Sequence, residues 1–343
     1  MQKLFTDPAR AARALAHTLS EVEIPGLPAP QRGKVRQSYD LDADRRLMVT
    51  TDRLSAFDRN LTTVPFKGQV LTELSRFWFE RTRDICPNHL IAVPDPNVTV
   101  CRRLAMLPVE VVVRGYLAGS TNTSLLTMYK GGARRLYGHG FPDGMRDNQR
   151  LDAPIITPTT KGDNGAHDEP LGPDDVARLG LVDAATWNRT REHALALFAF
   201  GQARARERGL ILVDTKYEFG VAPDGTVVLA DEVHTPDSSR YWDGATYEAR
   251  FAAGEPPDAF DKDMVRRWVR ARCDPYRDDV PAIPDAVRAE TADVYCDLFE
   301  RLTGAALVPP AGEETPAERV AGAAVRWVAE NPSAATLDHP ARP

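Results

Sequence analysis

Four cysteines in 343 residues, at positions 86, 101, 273 and 296 with no C-x-x-C pair, are too few and too scattered to staple the chain. A disulfide framework is therefore excluded, and reduced thiols or small buried hydrophobes are expected. The seven histidines lack metal-ligand spacing, which argues against a zinc site. No window approaches the ~18 uncharged apolar residues of a membrane span, and Met1 to Pro8 carry no apolar leader segment; a cytoplasmic protein with no membrane partner is expected. Excess positive charge is missing too. Lys and Arg number 43 against 49 Asp and Glu, a net charge of −6, which excludes a chain built mainly to coat nucleic acid but leaves room for a local cationic pocket. Neither a Walker A sequence nor G-x-S-x-G occurs, so P-loop and hydrolase-elbow readings lose their support.

What is present is globular. A hydrophobic fraction of 43% and a length of 343 residues suit two domains or one two-lobed domain with an addition. Residues 7 to 20 read as a helix, with Asp7 as N-cap, Pro8 at the first helical position and Leu15 and Leu19 four apart. A hairpin is expected over 35–51, a helix over 71–83, and strands over 98–101 and 109–113. Residues 138 to 175 lack apolar periodicity and read as a long loop, a kind that is usually functional or disordered. The strongest helix pattern covers 185–208, with Trp187, Ala194, Leu195 and Phe198 on one stripe and Gly209 after its end. Strands 210–221 and 226–230 flank the turn Pro223-Asp224-Gly225, and helices follow at 264–272, 284–303 and 316–330.

Three constellations carry charge in a pattern that chemistry would use. Arg32-Gly33-Lys34-Val35-Arg36 enters a strand, where alternation puts Lys34 and Arg36 on one face and Gly33 admits a ligand to the backbone; the pair suits a polyphosphate, or else is a solvated strand face. In Asp214-Thr215-Lys216-Tyr217-Glu218-Phe219, the charged residues share one face, and the hairpin returns Asp231 to the level of Tyr217 and Glu218. Carboxylates clustered beside a lysine suit Mg²⁺ with a bound polyphosphate, the alternative being a surface ion-pair ladder. Val111-Val112-Val113-Arg114-Gly115, running on to Ser120, ends an apolar strand in an arginine and a hydroxyl: an anion site, or a helix cap made by Ser120. The turn Thr235-Pro236-Asp237-Ser238-Ser239-Arg240 offers hydroxyls and a further arginine. His167-Asp168 reads as an oriented imidazole or a solvated loop.

Taken together, Gly33-Lys34-Val35-Arg36, the run from Thr51 to Asp58, Val113 to Ser120, Asp214 to Gly220 and Asp231 to Trp242 resemble the SAICAR synthetase family in order and approximate spacing. The resemblance covers roughly residues 15 to 303, including Thr157 to Lys161 with His167-Asp168-Glu169, and leaves 304–343 outside. It implies an α+β, two-lobed fold: a protein-kinase-like antiparallel N-terminal lobe (1–118), a central α/β lobe (119–262) with ATP between the two, and a C-terminal helical region (263–343). It implies an ATP-dependent ligase of purine biosynthesis that joins L-aspartate to carboxyaminoimidazole ribonucleotide (CAIR), with Mg²⁺, acting as a monomer or small homo-oligomer. By motif match, Gly33, Lys34 and Arg36 would face ATP, and Glu218 and Asp231 would hold the metal. Arg114, Ser120, Asp237 and Arg240 would bind the ribonucleotide, with Lys216 and Asp237 near the reacting groups. Gln37 stands where the family commonly has an acidic residue. A kinase-like phosphotransferase acting on a small molecule would need the same ATP apparatus, but the H-R-D and D-F-G signatures of protein kinases are missing.

Overall fold

The computed structural model describes residues 7–57, 59–121, 123–161, 169–260 and 263–332. In chain order its elements begin with α1 (Pro8–Ala16), β1 (Gln31–Arg32), β2 (Arg36–Asp40), β3 (Arg45–Thr50), β4 (Arg53–Ala56), β5 (Arg59–Thr63) and α2 (Lys67–Arg81). There follow β6 (Leu90–Asp95), β7 (Val98–Arg102), β8 (Ala105–Met106), β9 (Val109–Tyr116), α3 (Leu125–Lys130), β10 (Arg135–Leu136), β11 (His139–Gly140) and β12 (Arg150–Thr160). The remainder is α4 (Pro173–Arg178), α5 (Ala184–Glu207), β13 (Leu210–Val221), β14 (Val227–Ala230), β15 (Ser239–Asp243), α6 (Tyr247–Ala253), α7 (Asp263–Arg270), α8 (Asp285–Thr303) and α9 (Pro316–Glu330). Helices and antiparallel sheets in this order make an α+β fold. The chain forms two compact units that interleave in sequence: residues 1–77, 89–103 and 262–343 in the first, 78–88 and 104–261 in the second.

In the first unit five antiparallel strands run in the order β1-β2-β3-β7-β6. Alternation in β3 and β7 sends Leu47, Val49, Val98 and Val100 to one face, where they are buried with Leu19, Val22, Tyr39 and, from α9, Val320 and Ala324. The tail helix α9 thus packs on its own chain. It is started by a capping box, Thr315 and Glu318 exchanging backbone and side-chain bonds, with Pro316 in its first turn. A second core joins Leu54 and Val64 to Val265 and Val269 of α7 and Ala292 of α8.

In the second unit the sheet order is β12-β9-β13-β14, with β8 and β15 also paired to β13. The helix α5, capped by Asp183, buries Trp187, Ala194, Leu197, Phe198 and Gly201. Leu197 takes the inward position expected of Leu195, which is 40% exposed.

Two expected elements differ. The first helix stops at Ala16, not at residue 20, because Leu19 N donates to Asp52 Oδ2 (2.8 Å) and Leu19 joins the sheet core instead of the helix stripe. Within the expected loop 138–175 lies β12, eleven residues long, hidden by Pro154 and Pro158. As an edge strand it tolerates prolines that lack the ladder N–H, and a register shift between Arg150 and Ile155 absorbs Pro154. His167 and Asp168 lie outside the described residues.

Candidate active site

One face of the second-unit sheet is charged, and the other is apolar. In β9 and β13 the register pairs Arg114 with Asp214 and Lys216 with Val112. Val111, Val113 and Tyr217 therefore alternate to the opposite face and are fully buried. Gly115 allows close approach there: a Cβ would meet Gln202 Nε2 at 3.1 Å and Phe198 at 3.6 Å, both on α5.

On the charged face, Arg114 Nη1 lies 3.2 Å from Asp214 Oδ2, with side-chain exposures of 8% and 6%. Arg114 Nε donates to Thr157 Oγ1 of β12 at 2.8 Å, and Arg240 of β15 reaches the same Asp214 oxygen at 3.5 Å. Burial lowers the Arg114 pKa, an effect opposed by the Asp214 charge and reinforced by Arg240. Two guanidinium groups thus share one buried carboxylate, an arrangement with cationic capacity to spare for an anion. Gly119, at φ 114, lets the Arg240 guanidinium pass; a Cβ would come 2.8 Å from its Nη1.

One residue pair along the sheet, Lys216 Nζ bonds Glu110 Oε1 at 2.7 Å and Glu218 Oε1 at 2.6 Å. Lys161, at the end of β12, pairs with the other Glu218 oxygen. Burial alone would raise the Glu218 pKa, but Lys216 and Lys161 outweigh it and hold the carboxyl at about 2. For Lys216, burial works against the charge, while Glu218, Glu110 and Asp231 raise its pKa above the ordinary lysine value. Asp231 follows Ala230, the register partner of Glu218, adopts φ 60, and lies near enough to Lys216 for its charge to raise that lysine's pKa. Among the described residues no three His, Cys, Asp or Glu side chains converge as a metal cage.

The turn after Asp231 is fixed from both sides. Thr235 Oγ1 donates to the buried Glu232 Oε2 at 2.5 Å, Thr235 N donates to Ser238 Oγ at 3.2 Å, and Ser239 Oγ donates to Thr215 Oγ1 at 2.8 Å. Asp237 is half-buried in this turn, its N–H directed to Thr235 Oγ1 at 3.3 Å. Below, His234 enters the apolar side, its Nε2 2.5 Å from Tyr217 Oη, with Tyr241 Oη donating to the His234 carbonyl at 2.8 Å. Gly201 makes the room, since a Cβ there would sit 2.4 Å from His234 Cε1. Burial pushes the His234 pKa down to about 3, so the ring is neutral. Ser120 lies close by in sequence but does not start α3. The cap is Ser124, whose Oγ accepts from Thr127 N at 3.4 Å.

In the first unit, residues 33–35 are the turn between β1 and β2, closed by Gly33 N donating to Arg36 O at 2.9 Å. Lys34 is therefore an exposed turn residue, and strand alternation does not pair it with Arg36 as the sequence led us to expect. Arg53 Nη2 braces the turn at Gly33 O (2.9 Å) and Arg36 O (3.3 Å). Gln37 is fully buried and forms a two-way bond with the Val22 backbone, accepting from its N at 2.8 Å and donating to its O at 3.0 Å, as a neutral amide can and a carboxylate cannot.

Glu110, Thr157 and the Lys161 pairing were not assigned from sequence. Glu110 had a readable signal, lying two and four residues before Val112 and Arg114 on the same face of β9; Thr157 and Lys161 are marked only by the family-like segment Thr157 to Lys161, which carries no role for them, because the prolines hide β12 as a strand.

The SAICAR synthetase family matches residues 30–283. A phosphoribosylaminoimidazole-succinocarboxamide synthase of Legionella pneumophila (strain Paris) is 48% identical, over 87% of this chain and 95% of its own length. Among solved structures, SAICAR synthase from Saccharomyces cerevisiae complexed with SAICAR superposes with a TM-score of 0.73 at 33% identity, over 85% of this chain and all of that one. A type-2 SAICAR synthetase in complex with ADP gives a TM-score of 0.61 at 26% identity, over 82% of this chain and all of that one.

Proposed function

The chain belongs to the SAICAR synthetase family, an ATP-dependent carbon–nitrogen ligase joining L-aspartate to the carboxylate of CAIR in purine biosynthesis, and we propose which of its residues do this work. The observation that carries the assignment is the single charged sheet face, on which Arg114, Asp214 and Arg240 form one cluster and Glu110, Lys216, Glu218 and Lys161 the next. The arginine cluster suits the ribonucleotide phosphate, with Ser120 and Asp237 contributing to the same ligand. Glu218 and Asp231 are hard oxygen donors next to a lysine, and these two carboxylates would hold Mg²⁺ without a full protein cage. Bound there, Mg²⁺ would neutralise charge on the transferring phosphoryl group. In the first unit, Gly33, Lys34 and Arg36 are assigned to the ATP phosphates, the turn presenting a backbone without Cβ and the exposed Lys34, with Arg36 following at the start of β2.

The residues' own contributions follow from their charges. Coupling a carboxylate to an amine requires one carboxylate oxygen to leave, and transfer of the γ-phosphoryl group to that oxygen makes it a leaving group. Lys216, held charged by its carboxylate neighbours, stabilises the developing negative charge; Asp237 lies in the turn beside it to orient the reacting groups. The amine of aspartate then forms the C–N bond as phosphate departs with the substrate oxygen. A cytoplasmic enzyme, monomeric or a small homo-oligomer, with no nucleic-acid or membrane partner, completes the reading. Among the described residues no helix is long and apolar enough to cross a membrane.

Two measurements test it. ADP release with each substrate omitted in turn should require both CAIR and aspartate; sustained turnover with neither contradicts the ligase. With ¹⁸O in the CAIR carboxylate, each coupling event should deliver one labelled oxygen to phosphate. Unlabelled phosphate from a fully coupled reaction would remove Lys34, Arg36, Lys216, Glu218 and Asp231 from a phosphorylating role.

A further inference from the structure

A cavity of about 280 Å³ in the first unit is lined by α1, by the proline-rich strap 309–314 and by the start of α9. Its charged wall groups other than Asp52 all lie outside residues 30–283, the part matched by the family. Arg13 and His17, four residues apart, line one part of the wall, while Glu313 and Glu314 line the strap. Among the described residues neither pair forms an ion pair with the other, although opposite charges facing one cavity attract, so the separation exceeds direct contact. Arg319, on the same wall, is already engaged by Asp95 and by Asn97 Oδ1 at 2.8 Å. The buried Asp52 carboxylate also lines the cavity, and Phe66 on its wall holds φ 60, a backbone state that costs a bulky residue free energy and persists only where surroundings enforce it.

We propose that this cavity is a binding site for a small zwitterion of the amino-acid class, its carboxylate received by Arg13 and His17 and its ammonium by the carboxylates of Glu313, Glu314 and Asp52. A simple anion or a simple cation would satisfy one side and leave the other facing an empty gap; a molecule carrying both charges bridges it. The volume lies just below the ~300–1,000 Å³ typical of ligand pockets, which suits an amino acid better than a nucleotide. Bound ligand would tie α1, the strap and α9 together and raise the thermal stability of the full-length protein.

The test uses calorimetric titration of the full-length protein with glycine, L-glutamate and L-lysine. L-aspartate is left out because it is a substrate. At least one probe should bind, its N-acetyl and carboxamide derivatives should bind at least about tenfold more weakly, and Arg13→Gln and the double substitution Glu313→Gln/Glu314→Gln should each weaken it by about tenfold or more, or about 1.4 kcal/mol. Ligation kcat without the probe should be unchanged in these variants, whose altered side chains are exposed. Absence of binding by all three probes overturns the proposal, as does affinity retained in either variant or by a derivative lacking one charge.

Discussion

The charged sheet face of the second unit and the β1–β2 turn of the first handle charge in opposite ways. In the second, arginines, lysines and carboxylates sit on a central sheet face and neutralise one another: Arg114 and Asp214 are 8% and 6% exposed. In the first, Lys34 rides an exposed turn whose shape is set by backbone bonds and by Arg53. Replacing Arg114 or Asp214 therefore strands a buried charged partner, while replacing Lys34 on the turn strands none that is buried.

The most severe test is Asp231→Asn. The amide keeps the shape and loses the charge, so turnover should vanish while thermal unfolding stays near wild type. Near-normal rates at saturating Mg²⁺ would move the metal elsewhere. Next, Arg114→Lys should weaken CAIR binding far more than ATP binding and cost about 3 kcal/mol of stability, because an ammonium cannot bridge Thr157 and Asp214 as the guanidinium does. Arg240→Lys, at the more exposed partner, should show the same substrate bias with less destabilisation. If ATP affinity fell and CAIR affinity held, the subsites would be exchanged.

Acid should separate the units. His234 has its folded pKa depressed to about 3 from 6.5, so its contribution is complete above 6.5 and declines as pH falls toward 3; moving from pH 7 to 5 should cost the second unit about 2 kcal/mol. Asp52 has the reverse sign. Burial, only partly offset by the N–H groups of Leu19 and Gly68, raises it to about 6 from 3.8, so the first unit should gain about 1 kcal/mol over the same interval, a gain lost again as pH rises through 6. Urea titrations read by hydrogen exchange in each unit would show opposite slopes, and His234→Gln should flatten only the second. Equal slopes in both would contradict the burial of one group or the other.

Smaller effects complete the series. Lys34→Ala should raise the KM for ATP about tenfold with stability within about 0.5 kcal/mol of wild type, as expected of an exposed turn. A large loss of stability there would break the contrast between the turn and the sheet face. Ser124→Ala should cost about 1 kcal/mol through the lost α3 cap, and Ser120→Ala should leave that helix unaffected while weakening CAIR binding.

Much of this was legible in the amino-acid pattern. Alternation placed Asp214, Lys216 and Glu218 on one face, and Pro223-Asp224-Gly225 returned Asp231 to them, because strand period and turn chemistry are local. The hairpin 35–51 and the helices over 185–208 and 316–330 were readable for the same reason. Elsewhere local evidence misled. Leu19 has helical spacing but leaves α1 to meet Asp52, thirty-three residues away.

Composition, period and motif by themselves determined the family, the α+β class, and the residue types that a phosphoryl-transferring ligase requires. Only the tertiary structure decided which charges became partners. That Glu110 shares Lys216 with Glu218, that Lys161 closes on Glu218, that two arginines converge on Asp214, and that the tail helix α9 covers its own unit's sheet all depend on pairings between strands distant in sequence and on packing between remote segments. Such pairings are chosen by the joint burial of whole faces, and no local window contains that information.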